Sequence, residues 1–599
     1  MATLDQNKTL VSRLLLLGFF FAAGLGALVV RLWFVQVYEH RSMTREVATQ
    51  SVRRIRLLPV RGRMLDRRGR VLVDNRPSYD VVFHVSEMRQ PGARQNTVDH
   101  ILEAGGRIAN MIGREMPFDE DYVARRLRVY PALPMPVFNR LGNSELAKIA
   151  EMLPPVGGME VVPNFSREYR YPGTASHVLG FTGRREPEEA GLDRFSYVPL
   201  ELRGRTGLEA EYDGELSGRG GMRVVRVDTL GYVHEQIGET RSPKNGSDLI
   251  LTLDVRAQLI AEKLLHGYRG AIVVVDVRRG AVLAMASSPG YDLTRMSTDY
   301  YGLLLSDEAN RPLVNRALSA GYMPGSIVKP LVAMAGLECG AITPESTHYC
   351  DGTFRFGDAR ISCWNRNGHG TVDVVKAIEQ SCNPFFLHYG LETGLENLRP
   401  MFLGAGLGRT PEIDLPIGWG AGLVPSREWA RKRLGREWLA IDTIFVSIGQ
   451  GNLTLSPLQA AMYAAAIANG GTVFRPYLVQ RVIDPDGYIR RNTPPVAERR
   501  LPVSRKNLDL VRSGMYWVVN RSNGTGKRAR NRAIVLAGKT GTAEVIRPDE
   551  RHNNTWFIGF GPFEDPKYAI AVLVEHGVSG GRTAAPLAGR FFEQWLGTE

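Results

Sequence analysis

Residues 324–330 read PGSIVKP, a stretch that brings a serine and a lysine to one face of a helix. Ser326 and Lys329 are three positions apart, and positions i and i+3 on a helix are neighbours. Pro330 has no N–H, so it fits only where a helix begins. The stretch therefore predicts a helix that starts near Ser326. A neutral lysine can activate a serine, because burial and nearby cations lower its pKa. The alternative is a capped helix start with a solvated lysine.

The triplet SCN at residues 381–383 is a second candidate. In a turn, Ser381 and Asn383 would project a hydroxyl and an amide to the same side of a cleft. Such a triplet is also common as a helix cap or a simple turn. Taken alone, it does not identify a site.

A third candidate is GKTGT at residues 538–542, which follows an apolar run, 533–537, that predicts a strand. Lys539 offers a cation, and Thr540 and Thr542 offer hydroxyls. A glycine within a strand lets a ligand approach the backbone, and a strand edge can bind an extended peptide. The alternative is a strand end with solvated polar residues.

The three motifs occur once each, in the order Ser-x-x-Lys, Ser-x-Asn, Lys-Thr-Gly, which is the order in β-lactamases and penicillin-binding proteins. The chain resembles the class B penicillin-binding proteins, and among them the elongation-type group called penicillin-binding protein 2. Further stretches similar to this family are RGRMLDRRG at 61–69, GRTGLEAEY at 204–212, NRA at 315–317, GQG at 449–451, PLQ at 457–459 and WFIG at 556–559. The resemblance covers nearly the whole chain.

The resemblance implies a D,D-transpeptidase that works through a serine acyl-enzyme. Ser326 would attack the penultimate D-Ala carbonyl of a peptidoglycan stem peptide, and Lys329 would accept its proton. Ser381 would relay the proton to the leaving D-Ala. Asn383 would hold the substrate amide and Lys329, and Lys539 would supply positive potential around Ser381. A β-lactam presents the same electrophile and would bind in the same way.

The same resemblance implies a substrate-binding strand at Thr540, Gly541 and Thr542. The two threonines would engage the terminal carboxylate of the peptide. The backbone N–H groups of Ser326 and Thr542 would form an oxyanion hole, in which each donor contributes roughly 3 kcal/mol. No cofactor is expected for the chemistry.

Strand patterns predict the fold of the C-terminal part. Apolar runs at 271–277 and 281–287, separated by RRG, predict a hairpin, and strands are also expected at 555–560 and 568–575. Helical runs dominate up to about residue 470. Two β blocks around a helical block predict an α/β domain whose sheet is assembled from distant segments. The resemblance implies an antiparallel sheet flanked by helices, as in penicillin-binding proteins and β-lactamases.

The turn-rich joint at 240–248 predicts a domain boundary. The expected order is a cytoplasmic tail at 1–13, a transmembrane anchor at 14–37, an α+β pedestal at 38–245 and the transpeptidase domain at 246–599. The pedestal would be non-catalytic and similar to a dimerisation domain.

The anchor prediction rests on Leu14 to Val30, which is 17 residues without a charge and extends in apolar character to Val37. A bilayer core needs about 20 apolar residues, and no small-x-small cleavage site follows. Arginines at 41, 45, 53, 54 and 56 follow the segment, and a charge count alone would keep that side inside. Large domains translocate largely regardless of such charges. Because peptidoglycan lies outside, the catalytic domain is expected outside the inner membrane.

The net charge of +13 suits anionic lipid or cell-wall polymers as well as nucleic acid. The chain has no RNP motif, basic zipper or zinc-finger repeat, so no nucleic-acid partner is expected. The resemblance instead implies stem peptides, lipid-linked nascent glycan and a SEDS-type, RodA-like glycosyltransferase as partners. Too little sequence lies between anchor and pedestal for a glycosyltransferase domain of its own.

Four residues give the spacing C-x12-C-x5-H-x12-C, namely Cys350, Cys363, His369 and Cys382. Such a Cys₃His set suits tetrahedral, structural zinc. A disulfide between Cys350 and Cys363 is a second interpretation, favoured by an oxidising compartment. Unpaired buried thiols are the third.

Two other functions share the motif trio. A membrane-anchored β-lactamase would need a deacylating glutamate, and no convincing Glu-x-x-x-Asn segment follows Asn383. A β-lactam sensor would carry several spanning helices and a cytoplasmic protease motif, and neither is evident. Both interpretations remain weaker than the transpeptidase.

Overall fold

The computed structural model describes residues 2–38, 52–85, 87–129, 134–151, 156–184, 196–197, 202–227, 233–236, 241–416, 420–547 and 550–597. The N-terminal helix Ala2–Trp33 continues into a π-helical turn, Phe34–Tyr38. The stretch Arg13–Tyr38 is 26 residues long and is apolar enough to cross a bilayer. Its leucine and phenylalanine side chains are exposed rather than packed in a core. This helix fits the expected single-pass anchor. The arginines at 41 and 45 lie outside the described residues.

The pedestal is α+β, as predicted. Its strands are Val52–Leu57, Met64–Leu65, Val71–Phe83, Met135–Leu141, Met159–Tyr169, Thr182–Arg184, Ser196–Tyr197, Leu202–Gly204, Gly221–Val227 and Val233–Gln236. Its helices are Arg94–Ile112, Glu120–Val129, Asn143–Ala150, Ser176–Leu179, Gly207–Glu211 and Asp213–Leu216. The long strand Val71–Phe83 pairs with both Met135–Leu141 and Met159–Tyr169. Helix Arg94–Ile112 buries Val98 and Ile101 in a small core of the pedestal's own.

A shared sheet crosses the predicted domain boundary. Strand Asp248–Leu251 follows the turn-rich joint and pairs in parallel with Met64–Leu65 of the pedestal. On its other side it pairs antiparallel with Val479–Ile483, from deep in the C-terminal domain. The larger hydrophobic core likewise contains buried side chains from both parts. The two parts are therefore joined by a continuous hydrogen-bond ladder and not by a loose linker.

A five-stranded antiparallel sheet forms the centre of the C-terminal domain. Its strand order is Val282–Ser288, Gly270–Asp276, Tyr568–Val574, Glu550–Gly561 and Ala537–Arg547. The first hairpin is the predicted one, and its inner strand pairs with Tyr568–Val574, near the end of the chain. This arrangement confirms the prediction of an antiparallel sheet assembled from distant segments.

Helices pack on this sheet, among them Val255–Leu265, Pro457–Ala468, Arg505–Asn520 and Ala585–Leu596. The domain also contains the helices Thr298–Ser306, Lys329–Cys339, Val374–Glu379, Asn383–Gly404, Arg427–Leu434 and Ala440–Ser447. Short 3₁₀ or π turns lie at Leu293–Arg295, Gly325–Val328, Lys527–Ala529 and Gly580–Ala584. The remaining strands are Thr347–Cys350, Thr353–Phe356, Ala359–Ser362, Gly370–Asp373, Thr472–Phe474, Ile489–Asn492 and Ala497–Arg500. Every residue of Pro457–Ala468 is buried, because this helix packs on the central strands.

The strand predicted at 533–537 is wrong in position. The chain is irregular there, and the strand starts at Ala537 and runs to Arg547. The side chain of Asn531 accepts hydrogen bonds from the N–H groups of Ala533 and Ile534, so these donors are satisfied locally and need no ladder. The Lys-Thr-Gly motif consequently lies within the strand and does not follow it.

A buried ion-pair cluster connects two of the family-like stretches in the pedestal. Glu209 is fully buried, and its carboxylate pairs with Arg61 at 2.7 Å and with Arg167 at 2.8 Å. Burial raises the pKa of this carboxyl group, but the charges of Arg167 and Arg61 outweigh burial and hold the pKa below its usual value. The segments 61–69 and 204–212 are thus held together by charges that water does not screen.

We expect Glu209→Gln to lower the free energy of unfolding by about 3–5 kcal/mol, because the buried Arg167 loses its counter-charge and the buried Arg61 keeps only Asp213. The shift of the urea or thermal midpoint of the purified protein measures the effect. Glu428→Gln is the matched control, since Glu428 pairs with Lys432 on the surface with both side chains exposed. Its midpoint should stay unchanged. Equal shifts for the two variants would contradict a stabilising role of the buried cluster.

Candidate active site

The first motif begins a helix, as Pro330 predicted. Gly325–Val328 forms a 3₁₀ turn, and helix Lys329–Cys339 follows directly with Pro330 in its first turn. Ser326 is half-buried, whereas Lys329 is completely buried. Among the described residues, the Ser326 hydroxyl has no hydrogen-bond partner, and the Lys329 amine points to the second motif. The expected direct contact between the two side chains is therefore not formed in this structure.

The second motif is a sharp turn between two helices, Val374–Glu379 and Asn383–Gly404. Ser381 has a φ of 55°, in the left-handed region that a residue with a side chain rarely adopts. Such strain persists only where the surroundings enforce it, and it clusters at functional sites. The turn allows Ser381 and Asn383 to present their polar groups to the same neighbour, which is Lys329.

Two lysines converge on Ser381. Lys329 Nζ donates to Ser381 O at 2.9 Å and to Asn383 Oδ1 at 2.7 Å, and lies 3.3 Å from Ser381 Oγ. Lys539 Nζ donates to Ser381 Oγ at 2.8 Å and to Thr540 O at 3.0 Å. Neither lysine has any exposed surface. The three motifs, far apart in sequence, thus form one polar cluster.

Burial controls the protonation of both amines. It lowers the pKa of Lys329 to about 8. Burial, together with the nearby charge of Lys329, also lowers the pKa of Lys539 well below its usual value. A neutral Lys329 has two N–H groups, which match the acceptors Ser381 O and Asn383 Oδ1, and its lone pair stays available for a hydroxyl proton. The cluster therefore holds a base that is usable near neutral pH.

Glycines let the backbone around Ser326 pack against the edge of the central sheet. A Cβ at Gly325 would lie 2.6 Å from Thr542 O, and a Cβ at Gly449 would overlap the carbonyl oxygen of Gly325. The Gly325 N–H donates to Gly449 O at 2.9 Å. Both glycines also have positive φ, at 55° and 76°. The turn that holds Ser326 is consequently pressed against the strand that holds Thr542.

The threonines of the third motif already have partners on either side of Gly541. Thr540 Oγ1 donates to Thr525 Oγ1 at 2.7 Å, and Thr542 Oγ1 accepts from the N–H of Gly580 at 3.1 Å. Thr525 was not predicted from the sequence. It lies in a turn after helix Arg505–Asn520, where no local motif marks it, and only the tertiary contact identifies it.

The four predicted metal ligands come together directly beside the second motif. Their Sγ and Nδ1 or Nε2 atoms all lie within 4.8 Å of one another, and the set is Cys350, Cys363, His369 and Cys382. His369 Nδ1 is 3.6 Å from Sγ of both Cys350 and Cys363. Sulfur and nitrogen ligands of a tetrahedral zinc, at about 2.3 and 2.0 Å from the metal, lie roughly 3.6 Å apart. The donor set therefore fits such an ion.

The cysteines are not joined to one another. All four, each in a described segment, are free, so the alternative Cys350–Cys363 disulfide is not formed. Hydrogen bonds from Cys382 and His369 lower the pKa of the Cys363 thiol despite its burial, and the same pairing raises the pKa of Cys382. A lowered pKa favours the thiolate form of Cys363, which is the form in which cysteine binds metals.

Two sequence families match this chain. The model described as "Penicillin binding protein transpeptidase domain" matches residues 270–593, and that described as "Penicillin-binding Protein dimerisation domain" matches residues 56–251. The chain is 30% identical to the peptidoglycan D,D-transpeptidase MrdA of Acinetobacter baumannii over 602 residues, which are 96% of this chain and 87% of that protein. The likeness thus extends over both the pedestal and the C-terminal domain.

Solved structures are similar over the same range. The complex between penicillin-binding protein PBP2 and MreC from Helicobacter pylori matches with a TM-score of 0.75 and 30% identity, covering 91% of this chain and 99% of that one. A chain from "Structural coordination of polymerization and crosslinking by a peptidoglycan synthase complex" matches with a TM-score of 0.71 and 26% identity. This second match covers 98% of this chain and 99% of that chain.

We expect Gly449→Ala to slow acylation by a fluorescent penicillin at least tenfold, because the new methyl group displaces the Gly325 carbonyl and with it the turn of Ser326. Gly451→Ala is the matched control. Its φ of 74° is nearly that of Gly449, so both variants carry backbone strain of roughly 1–2 kcal/mol. The Cβ at Gly451, however, would contact only the Phe445 side chain, at 3.6 Å. If both variants slowed acylation equally, backbone strain alone would account for the effect.

Proposed function

Because the chain belongs to the penicillin-binding protein transpeptidase family, we propose that it is a peptidoglycan D,D-transpeptidase that cross-links stem peptides during cell-wall elongation. The reaction runs through an acyl-enzyme on Ser326, which is also the group that β-lactams acylate. The observation that carries the proposal is the convergence of the buried amines of Lys329 and Lys539 on Ser381, beside the turn of Ser326. A protein that only binds a ligand without covalent chemistry has no need of two desolvated amines.

Acylation starts when Ser326 Oγ attacks the carbonyl carbon of the penultimate D-Ala of the donor peptide. Neutral Lys329 accepts the hydroxyl proton as the new C–O bond forms. The backbone N–H groups of Ser326 and Thr542 receive the negative charge on the carbonyl oxygen. Their preorganisation follows from the close packing at Gly325 and Gly449.

The leaving group departs with a proton from Ser381. As the C–N bond breaks, the Ser381 hydroxyl gives its proton to the amine of the terminal D-Ala and takes another from the Lys329 ammonium. Lys539 holds Ser381 Oγ in place, and it supplies positive potential in the state in which Lys329 is neutral and no longer repels its charge. Asn383 orients Lys329 and holds the substrate amide. The donor peptide then remains as an ester on Ser326.

Transfer reverses these steps with a new nucleophile. The amine of an acceptor stem peptide attacks the ester, its proton returns to Ser326 along the same route, and the amide cross-link forms. Strand Ala537–Arg547 lies at the edge of the central sheet, so an extended peptide can pair with it. Thr540 and Thr542 hold the terminal carboxylate. Gly541 between them lets the turn of Ser326 pack against the strand, because a Cβ there would lie 2.8 Å from Pro324 O.

We expect Ser326→Ala to abolish covalent labelling by a fluorescent penicillin while leaving the melting temperature unchanged, since the Ser326 hydroxyl makes no hydrogen bond within the described structure. Lys329→Arg should also abolish labelling, because a guanidinium group cannot act as a base. Lys527→Arg, at an exposed lysine outside the cluster, is the matched control and should label normally. Labelling of Ser326→Ala at the wild-type level, detected on a denaturing gel, would refute the assignment of the nucleophile.

The family and the apolar N-terminal helix support a position in the inner membrane. Residues 1–13 lie in the cytoplasm and residues 14–37 cross the bilayer. The pedestal at 38–245 and the transpeptidase domain at 246–599 both lie outside. Nascent glycan comes from a RodA-like SEDS glycosyltransferase. One similar structure is described as coordinating polymerisation and crosslinking, and another relative is bound to MreC, which supports membrane partners of these kinds. The pedestal, which shares a sheet with the transpeptidase domain, is the surface for them.

We further propose that the Cys350, Cys363, His369 and Cys382 cluster would hold a structural zinc ion. Four protein ligands would leave no open coordination position, so the metal would serve as a cross-link and take no part in acyl transfer. Cys382 lies between Ser381 and Asn383, so a fixed Cys382 sulfur fixes both motif residues. Such a link would help to hold the backbone of Ser381 in its strained conformation.

Protein purified without a histidine tag should contain close to one zinc ion per chain by atomic emission or mass spectrometry. His369→Ala should lower zinc content, thermal stability and penicillin acylation together, although His369 is not proposed to touch substrate. Cys339→Ser, at an exposed cysteine outside the cluster, is the matched control and should change none of the three. Full acylation by metal-free His369→Ala would overturn the proposed link between the ion and the second motif.

A further inference from the structure

The short segment 321–324, directly before the turn of Ser326, belongs to none of the helices and strands given above. Contacts with a distant part of the chain hold it in place. The indole N–H of Trp556 donates to Met323 O at 3.0 Å, and the Tyr322 ring packs edge-on against the Trp556 ring at a centroid distance of 6.2 Å. The position of Ser326 therefore depends on the tertiary contacts of the residues that precede it.

One carboxylate oxygen also fastens this segment. The Tyr322 hydroxyl donates to Glu575 Oε1 at 2.7 Å, and Arg316 Nε donates to the same atom at 2.8 Å. The second carboxylate oxygen lies 3.5 Å from Arg269 Nε. Hydrogen bonds to an ionised group are roughly twice as strong as neutral ones. The Arg316 side chain is 4% exposed and that of Glu575 is 16% exposed, so water screens this cluster little.

The protonation states of the cluster suit these hydrogen bonds. Burial raises the pKa of the Glu575 carboxyl group, but the charge of Arg316 and the hydrogen bond from Tyr322 outweigh burial and hold the pKa below its usual value. Burial and the negative charge of Glu575 raise the pKa of the Tyr322 hydroxyl. Near neutral pH the carboxylate is therefore an ionised acceptor and the hydroxyl keeps the proton that it donates.

Arg316 holds this carboxylate in place. Its remaining guanidinium nitrogens donate to Asn310 O at 2.7 Å and to Arg311 O at 3.2 Å. Its backbone N–H donates to Ser287 Oγ at 2.9 Å, and Ser287 lies in the first hairpin of the central sheet. An arginine held at so many points cannot follow a moving partner. The Glu575 carboxylate is consequently fixed relative to the sheet.

Glu575 also begins the segment that touches the substrate-binding strand. It directly follows the strand Tyr568–Val574, and further along the same segment the Gly580 N–H donates to Thr542 Oγ1 at 3.1 Å. The N–H groups of Ser326 and Thr542 are the two donors of the proposed oxyanion hole. Each of them lies beside a segment that Glu575 helps to hold.

We propose that Glu575 and Tyr322 are positioning residues, which hold the turn of Ser326 in line with the strand of Thr542. The inference deepens the proposed function and rests on it, because it takes Ser326 as the nucleophile. Neither positioning residue is proposed to touch substrate. Displacing a reacting group by about 1 Å can slow its reaction about 100-fold. Glu575 and Tyr322 therefore govern the rate of acylation and not the affinity for the ligand.

The test measures acylation of the full-length protein in detergent by the chromogenic cephalosporin nitrocefin, in a stopped-flow instrument. The dependence of the rate on nitrocefin concentration gives the maximal acylation rate and the half-saturating concentration separately. Tyr322→Phe should lower the maximal rate roughly fivefold or more, because the ring stays against Trp556 but the hydroxyl no longer holds the segment. The half-saturating concentration should stay that of the wild type.

Tyr169→Phe is the matched control. The Tyr169 hydroxyl is also buried, and it donates to Gly180 O at 3.2 Å within the pedestal. This variant loses the same kind of hydrogen bond, so its melting temperature should fall about as far as that of Tyr322→Phe, but its acylation should stay normal. The same loss of rate in both variants would make the effect one of general stability and would overturn the inference.

Changes at Glu575 give a second measurement. In Glu575→Gln the amide oxygen still accepts from Tyr322 but carries no charge, so the maximal rate should fall less than in Glu575→Ala. When Tyr322→Phe and Glu575→Gln are combined, the slowing should be smaller than the product of the two single effects, because both changes weaken one contact. Independent, multiplying effects would contradict a shared role.

An unchanged maximal rate in Tyr322→Phe would also overturn the inference. A raised half-saturating concentration with an unchanged maximal rate would do the same, because it would place Tyr322 in ligand binding. These outcomes leave the proposed function intact, which is tested on the wild-type protein. Failure of nitrocefin to acylate Ser326 in the wild type, shown by mass spectrometry of the labelled peptide, would refute that function itself.

Discussion

The burial of two lysine amines around one serine hydroxyl is the constraint on which the rest of the site depends. Two ammonium groups sharing one acceptor without water would repel each other strongly, so burial and their mutual field favour loss of a proton. This arrangement explains why the pKa values of Lys329 and Lys539 are both lower than usual. The protein produces a base because burial keeps water away from the amines. The elements packed around Ser381 provide that burial.

The elements that bury these amines come from distant parts of the chain. Lys329 is supplied by the helix Lys329–Cys339, Ser381 by a strained turn and Lys539 by the edge strand Ala537–Arg547. They can meet only because the central sheet joins residues 270–276 to residues 568–574 and because glycine allows backbone contact at Gly325. A side chain there would separate the turn of Ser326 from the strand that contains Thr542.

The site is also tied to the rest of the molecule in two directions. The cysteine cluster meets the second motif at Cys382, and the pedestal is joined to the C-terminal domain through strand Asp248–Leu251. Close-packed interiors and continuous hydrogen-bond ladders deform little. A partner that moves the pedestal would therefore act on an element continuous with the transpeptidase domain, and not through a flexible linker.

Local patterns in the sequence determined the three motifs, the apolar N-terminal helix, the first hairpin of the central sheet and the four residues of the cysteine cluster, because each depends on spacing along the chain. Tertiary structure alone decided where the side chains meet. Lys329 turns to Ser381 and Asn383, and Thr525 joins Thr540 from a loop that carries no motif. The strand before Lys539 was misplaced because Asn531 satisfies the backbone there, and the sheet that crosses the domain boundary had no local signal. Spacing fixes which groups can be neighbours along the chain, whereas burial and pairing between distant segments depend on the whole fold.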